Sequence, residues 1–287
     1  MGWGLLRYNT GNLGDDMQSV AARQLLPEVN VLLDRDKLSD FSSIEPVRCL
    51  LNGWFLHGSK WPPSSSIDPL LTSFHVSSSS GAKAVISKEE SVKWLKRHGP
   101  VGCRSENTVK FLEKLGISCY FSGCLTLTLE RPLVERCNKI VWVDVSPPWW
   151  WTWGNIPEGT DSVFEYVTHR CVPWLDSSFK YERCRHLLEL YAGAKLVVTS
   201  RLHVALPCVA FGTPVVFVMP DYEPDRVAPY LHLMSYCVTS KDFKDGKAAI
   251  DWNSPKPPGC VAELRDGLLH TVRQWTGTGA MASSAPR

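Results

Sequence analysis

An α/β fold of two Rossmann-like domains facing a cleft, with mostly parallel sheets, is predicted by three features of this 287-residue chain. Apolar runs of strand length alternate with segments of helical periodicity, the pattern of parallel strands covered by helices. The alternation occurs twice in series, with a reset around Leu129–Asn138. The length exceeds one typical domain and suits two of about 130–150 residues each. The expected division is 1–135 and 136–276, with the small, polar stretch 277–287 as a disordered tail.

In the first half, Leu5–Asn9 reads as a strand and Gly11–Asp16 as a glycine-rich turn. Met17–Leu26 follows as a helix, with Met17, Val20, Ala21 and Leu25 on one side. Val29–Leu33 and Val47–Asn52 have strand length. Glu89–Arg97 and Glu106–Leu115 read as helices, the second ended by Gly116, and Ile117–Phe121 as a strand. In the second half, Lys139–Val145 is a valine-rich strand, Pro147–Pro157 a Trp- and Pro-rich loop, and Val163–Thr168 a short β-branched run. Tyr181–Ala192 reads as a helix, Lys195–Ser200 as a buried strand, His203–Phe211 as a helix and Pro214–Met219 as another strand. Ligands of such sheets bind at the carboxyl ends of strands.

Composition narrows the function classes. Hydrophobic residues make up 44% and charged residues 21%, as in ordinary globular proteins. A net charge of only +2 without a basic stripe argues against nucleic acid as a partner. The first residues lack a charged leader with an apolar core, and no apolar run reaches the roughly 18 residues of a spanning helix, so a cytoplasmic chain without a transmembrane segment is expected. Ten cysteines with irregular spacing and no C-x-x-C pair read as reduced thiols, with no metal site.

Three segments carry residues suited to chemistry. In Val198-Thr-Ser-Arg-Leu-His203 a buried strand hands over to a helix, so Arg201 and His203 sit where helix-start amides and the helix dipole favour an anion. Arg201 offers a planar fork to phosphate or carboxylate. His203 can move a proton near neutral pH. The plainer alternative is a helix capped by Ser200 with a packed histidine. The second segment, Asn9-Thr-Gly-Asn-Leu-Gly-Asp-Asp16, opens a helix after a strand, so its amides could cradle an anion or sugar. Asn12 suits a substrate hydroxyl. Asp15 or Asp16 could orient a base, although helix capping suits Asp16 better. It is not a dinucleotide fingerprint. In the third, Arg104 closes the run Val101–Cys103 and Ser105 reads as the cap of the next helix. A surface salt bridge to Glu106 is the alternative for Arg104.

Together these segments resemble the polysaccharide pyruvyl transferase family. The likeness lies in the G-N-x-G-D turn (Gly11–Asp15), in R-[DS]-x-x-[ST] before L-x-x-L-G-[IV] (Arg104–Ile117), and in V-[TS]-S-R-L-H…G-x-P-V (Val198–Val215). Phe121–Leu129 is similar to a segment of some members. The resemblance spans about residues 5–220. It implies a GT-B-like architecture and transfer of a pyruvyl group from phosphoenolpyruvate to a sugar, commonly as a ketal on two hydroxyls, with release of phosphate. It places Arg201, Leu202 and His203 at the phosphoenolpyruvate site and brings Arg104 to it as a second arginine.

On that scheme His203 is the candidate acid, and Asp15, Asp16 or Glu223 the candidate base. Gly11, Gly14, Asn12, Ser200 and Glu223 join Arg201, Leu202 and Arg104 as substrate-binding candidates. Phosphoenolpyruvate is the donor and no cofactor is implied. The acceptor is a saccharide, with a lipid-linked form left open, as is a homo-oligomer. The second domain is expected on the donor side and the first on the acceptor side. The chain departs from the family in its short length, in how little follows the strand Pro214–Met219, and in Trp149–Trp153. That Trp-rich run could be a sugar platform, a packing plug or an oligomer contact. A GT-B nucleotide-sugar glycosyltransferase, or a family member that binds glycans or anions without turnover, are the rival readings.

Overall fold

The computed structural model describes residues 1–56, 60–147, 162–220 and 224–278. Trp149–Trp153, Glu223 and residues 279–287 of the expected tail lie outside the described residues. The chain divides into two compact units. The first comprises Met1–Thr10, Gln18–Thr128 and the chain from Ala262 on; the second comprises Gly11–Met17 and Leu129–Val261. This differs from a single boundary at 135. The glycine-rich turn groups with the second half of the chain, and the last helix returns to the first.

The first unit holds strands β1 (Gly2–Arg7), β2 (Val31–Asp34), β3 (Val47–Leu50), β4 (Trp54–Phe55), β5 (Ile67–Leu70), β6 (His75–Val76), β7 (Val101–Cys103) and β8 (Cys119–Phe121). Four of them form a parallel sheet in the order β2-β1-β3-β5, and β4-β6 and β7-β8 are parallel pairs. Helix α1 (Leu13–Arg23) crosses the division between Met17 and Gln18. It starts four residues earlier than the periodicity predicts, because Asn12 caps it: the Gly14 amide donates to Asn12 Oδ1 at 3.1 Å. Helices α2 (Ser80–Ile86), α3 (Glu89–His98) and α4 (Glu106–Lys114) follow. Ser105 caps α4, accepting from the Thr108 amide, and Gly116 takes φ +65° just beyond the other end, as its type allows. Leu6, Leu33, Cys49, Phe55 and Phe74 lie in one core with Leu95 and Leu112. The helix Ala262–Thr276, absent from the sequence expectation, buries Leu268 and Val272.

The second unit contains β9 (Lys139–Val143), β10 (Val163–Val167), β11 (Leu196–Thr199), β12 (Val215–Met219) and β13 (Tyr236–Thr239). All pair in parallel, in the order β10-β9-β11-β12-β13. Strands β9, β11 and β12 are continuous apolar runs because both their faces are covered. Ile140, Trp142, Val198 and Val216 pack with Phe243 and Trp252. Helix α5 (Ser177–Gly193) begins at Asp176, whose carboxylate accepts from the Ser178 amide at 2.8 Å. Helix α6 (Leu202–Phe211) ends at Gly212 with φ +67°, the left-handed cap that favours glycine. Strand β13 and the helix at the end of the chain show that more structure follows β12 than expected.

Candidate active site

Counted in chain order within its unit, the second sheet runs 2-1-3-4-5. The direction of winding reverses between β9 and β11, and at such a switch point the carboxyl ends of two adjacent strands open a crevice for ligands. Asp144 stands just beyond β9 and Arg201 just beyond β11, whose last pair is Val143 with Thr199. The Thr199 hydroxyl donates to Val143 O at 3.2 Å and accepts from the Arg201 amide at 2.9 Å, which ties the two strand ends together.

Arg201 is the N-cap residue of α6, with extended backbone. Its Nε donates to Asp144 Oδ2 at 3.0 Å, and its side chain keeps 24% of its exposure. Among the described residues, nothing hydrogen-bonds to its two terminal amino groups. Asp144 ends β9 because its φ of +52° leaves the extended region; aspartate tolerates this conformation better than most residues. Its carboxylate accepts from the Thr168 hydroxyl at 2.6 Å and the His169 amide at 3.1 Å, both just beyond β10. Burial raises the Asp144 pKa. The Thr168 and His169 hydrogen bonds and the Arg201 charge outweigh it, so the group stays ionised below the usual carboxylate range.

His169 is wholly buried. Burial pushes its pKa down to about 3, against an upward pull from Asp144. Its Nε2 bonds to the Tyr191 hydroxyl at 2.8 Å. It is a neutral, structural imidazole, unsuited to proton transfer near pH 7.

The turn Gly11–Gly14 joins this cluster through the same loop. The Leu13 amide donates to His169 O at 2.8 Å, the Cys171 amide to Gly11 O at 3.0 Å, and Asn12 bridges to Arg170. A Cβ on Gly11 would stand 2.8 Å from Cys171 O, so only glycine fits there. A Cβ on Gly14 would stand 3.3 Å from His203 Nδ1. The starts of α1 and α6 therefore touch, Gly14 against His203. The first amides of α1 are already taken, Leu13 by His169 O and Gly14 by Asn12 Oδ1, so the start of α6, which has no side-chain cap, is the helix end that accompanies Arg201 in an arrangement suited to an anion.

The expected residues are distributed unevenly. Gly11, Asn12, Gly14, Asp15, Asp16, Ser200, Arg201, Leu202 and His203 all belong to the second unit. Asn12 Oδ1 accepts from the Gly14 amide at the α1 cap. Asp16 is 0% exposed and Asp15 7%, both in the first turn of α1. Leu202 and His203 are buried at 5% each, and Ser200 is half-buried. Arg104 lies in the first unit at 1% exposure and donates from Nη1 to Gln18 Oε1. That burial rules out the surface bridge to Glu106, which instead faces Lys110 at 3.7 Å. As the second arginine that the resemblance brings to the donor, Arg104 is enclosed in the first unit. Glu223 lies outside the described residues. Asp144, Thr168, His169 and Tyr191 were not anticipated, although the strand-end rule that selects Arg201 also selects Asp144 after its valine-rich strand.

Fold and site together define an α/β protein with an arginine and an uncapped helix start, suited to an anion, at a sheet switch point. The model of the polysaccharide pyruvyl transferase family matches residues 12–222, well over half of the chain. The chain belongs to that family and is a pyruvyltransferase. Among solved structures, a functionally uncharacterised protein from Klebsiella pneumoniae subsp. pneumoniae NTUH-K2044 is similar at 13% identity, over 80% of this chain and 88% of that one, with a TM-score of 0.47. No curated protein matches. Among the described residues, no helix is long and apolar enough to cross a membrane.

Proposed function

We propose that this pyruvyltransferase takes its pyruvyl group from phosphoenolpyruvate and places it as a ketal on two hydroxyls of a saccharide, releasing phosphate. The position of Arg201 at the start of α6, a helix end with no side-chain cap, carries this reading, because it places a cationic fork beside helix-start amides for a small polyanion. The terminal amino groups of Arg201 take a carboxylate or phosphate edge of the donor. Protonation of C3 makes C2 electrophilic, and His203, beside Gly14, is the group proposed to supply that proton. One sugar hydroxyl adds to C2 and loses its proton, with Asp15 the proposed acceptor of it. The C2–O bond to phosphate breaks, and the second hydroxyl closes the ketal, losing its own proton to the departing phosphate. The amides at the start of α6 stabilise the leaving charge. The scheme calls on no cofactor beyond the donor. Arg104, enclosed in the first unit, is left out of the donor contacts.

The test is to incubate the protein with phosphoenolpyruvate or UDP-sugars and a panel of glycan and lipid-linked acceptors. Free phosphate and a pyruvylated product are expected with phosphoenolpyruvate alone. Sugar transfer from a UDP-sugar would favour a glycosyltransferase instead. His203→Asn is expected to bind phosphoenolpyruvate normally and to turn over at least about 100-fold more slowly, the usual scale of a lost acid. Undiminished turnover would remove His203 from that role.

A further inference from the structure

We propose that Asp144 is a positioning residue for Arg201, and that it aims the guanidinium at the donor. This rests on Arg201 being the donor grip, as proposed above. A guanidinium has two edges that can take an oxyanion: the side edge through Nε, and the end edge between the two terminal amino groups. Asp144 Oδ2 holds the side edge, at 3.0 Å from Nε. The end edge is left with no hydrogen-bond partner among the described residues, on a side chain that still reaches solvent.

Asp144 is itself held rigidly. Its two oxygens accept from the Thr168 hydroxyl and the His169 amide, and its own amide donates to Val167 O at 3.3 Å. The Thr168 hydroxyl in turn accepts from the Arg170 amide at 3.0 Å. His169 is locked by burial and by Tyr191. The carboxyl ends of three adjacent parallel strands, β10, β9 and β11, thus set one arginine through one carboxylate. The titratable groups facing the carboxylate from these elements are Arg201, which is charged, and His169, which is neutral. An anion this close to a polyanion's site would by charge alone weaken donor binding. The pair favours donor binding when fixing the arginine outweighs that repulsion.

The two effects predict opposite signs, so a double-mutant cycle separates them. Phosphoenolpyruvate affinity is measured by calorimetry on the full chain for wild type, Asp144→Asn, Arg201→Ala and the double variant. Asparagine tolerates the positive φ at this position and keeps the hydrogen-bonding shape. Asp144→Asn is expected to weaken binding by roughly tenfold, the lower end of losses seen when an outer partner of a ligand-holding side chain is removed. In the Arg201→Ala background the same change is expected to leave binding unaltered or to improve it, since only repulsion remains. A general loosening of the fold would lower affinity in both backgrounds. Equal losses in both, or unchanged or tighter binding by Asp144→Asn in the wild-type background, would overturn the positioning role while Arg201 stays the donor grip. Wild-type-like affinity in Arg201→Ala, or no binding by wild type, would instead overturn the donor reading and the positioning role with it.

Discussion

Replacement of Gly14 by alanine tests the placement of His203 with the smallest possible change. Gly14 is the second residue of α1, and its amide is already engaged by Asn12 Oδ1 at 3.1 Å. An added Cβ would lie 3.1 Å from that oxygen and 3.3 Å from both Cβ and Nδ1 of His203. Ordinary carbon contacts lie near 3.5–4.0 Å, so the ring must retreat by about 0.3 Å. A misplacement of about 1 Å at a reacting group costs roughly 100-fold in rate. Scaled in proportion on the barrier, 0.3 Å costs about fourfold. Stability should fall by about 0–2.5 kcal/mol, the difference between the gain of about 0.5–1 kcal/mol from removing a helical glycine and the cost of about 1–3 kcal/mol from crowding a packed site. Gly14→Val adds two methyl groups against the same ring and should bring turnover down by about 100-fold. The assay is phosphoenolpyruvate-dependent phosphate release on an acceptor that supports turnover, with urea unfolding in parallel. Full turnover by a well-folded Gly14→Val variant would refute the argument that His203 acts from its seat against Gly14.

Two further perturbations address the scaffold. His169 is neutral when folded, with a pKa near 3 against 6.5 for a solvated histidine, so between these values the unfolded chain binds the extra proton. Stability is therefore complete above about pH 6.5 and falls as the pH drops toward 3, by up to about 1.4 kcal/mol per unit from this group. Urea midpoints at pH 7.5 and 5 should diverge less in His169→Gln than in wild type, and equal divergence would show that burial of this ring does not set the slope. In the first unit, the Arg48 guanidinium lies 4.8 Å from the Trp3 ring and 4.3 Å from the Trp275 ring and donates to Trp275 O. Arg48→Ala should cost about 1–3 kcal/mol and release the helix Ala262–Thr276; hydrogen exchange of that helix unchanged in the variant would contradict the clamp.

The ends of elements, more than their cores, separate what was legible from what was not. The apolar run of β9 announces a buried strand, but the expected stop at Val145 is two residues late. Asp144 turns into left-handed backbone, and its carboxylate is then held by Thr168 and His169, 24 and 25 residues further on. The periodicity of α1 is visible from Met17 onward, whereas its start at Leu13 depends on a cap made by Asn12 and on the Leu13 amide reaching His169 O. The helix Ala262–Thr276 carries only two buried apolar residues in fifteen, too weak a stripe to stand out.

By itself the sequence determined the α/β class, the parallel character of the buried strands and the pairing of a helix start with Arg201 and His203. These follow from local rules: unbroken apolar runs for strands covered on both faces, and free amides where a strand hands over to a helix. Tertiary structure alone decided that Gly11–Met17 groups with the second half of the chain, that Arg104 and Asp16 are enclosed, and that Asp144 meets Arg201. The last of these depends on strand order, with β10 outside β9 so that β9 and β11 become neighbours. Pairing across 57 residues of chain leaves no periodic trace in the residues themselves.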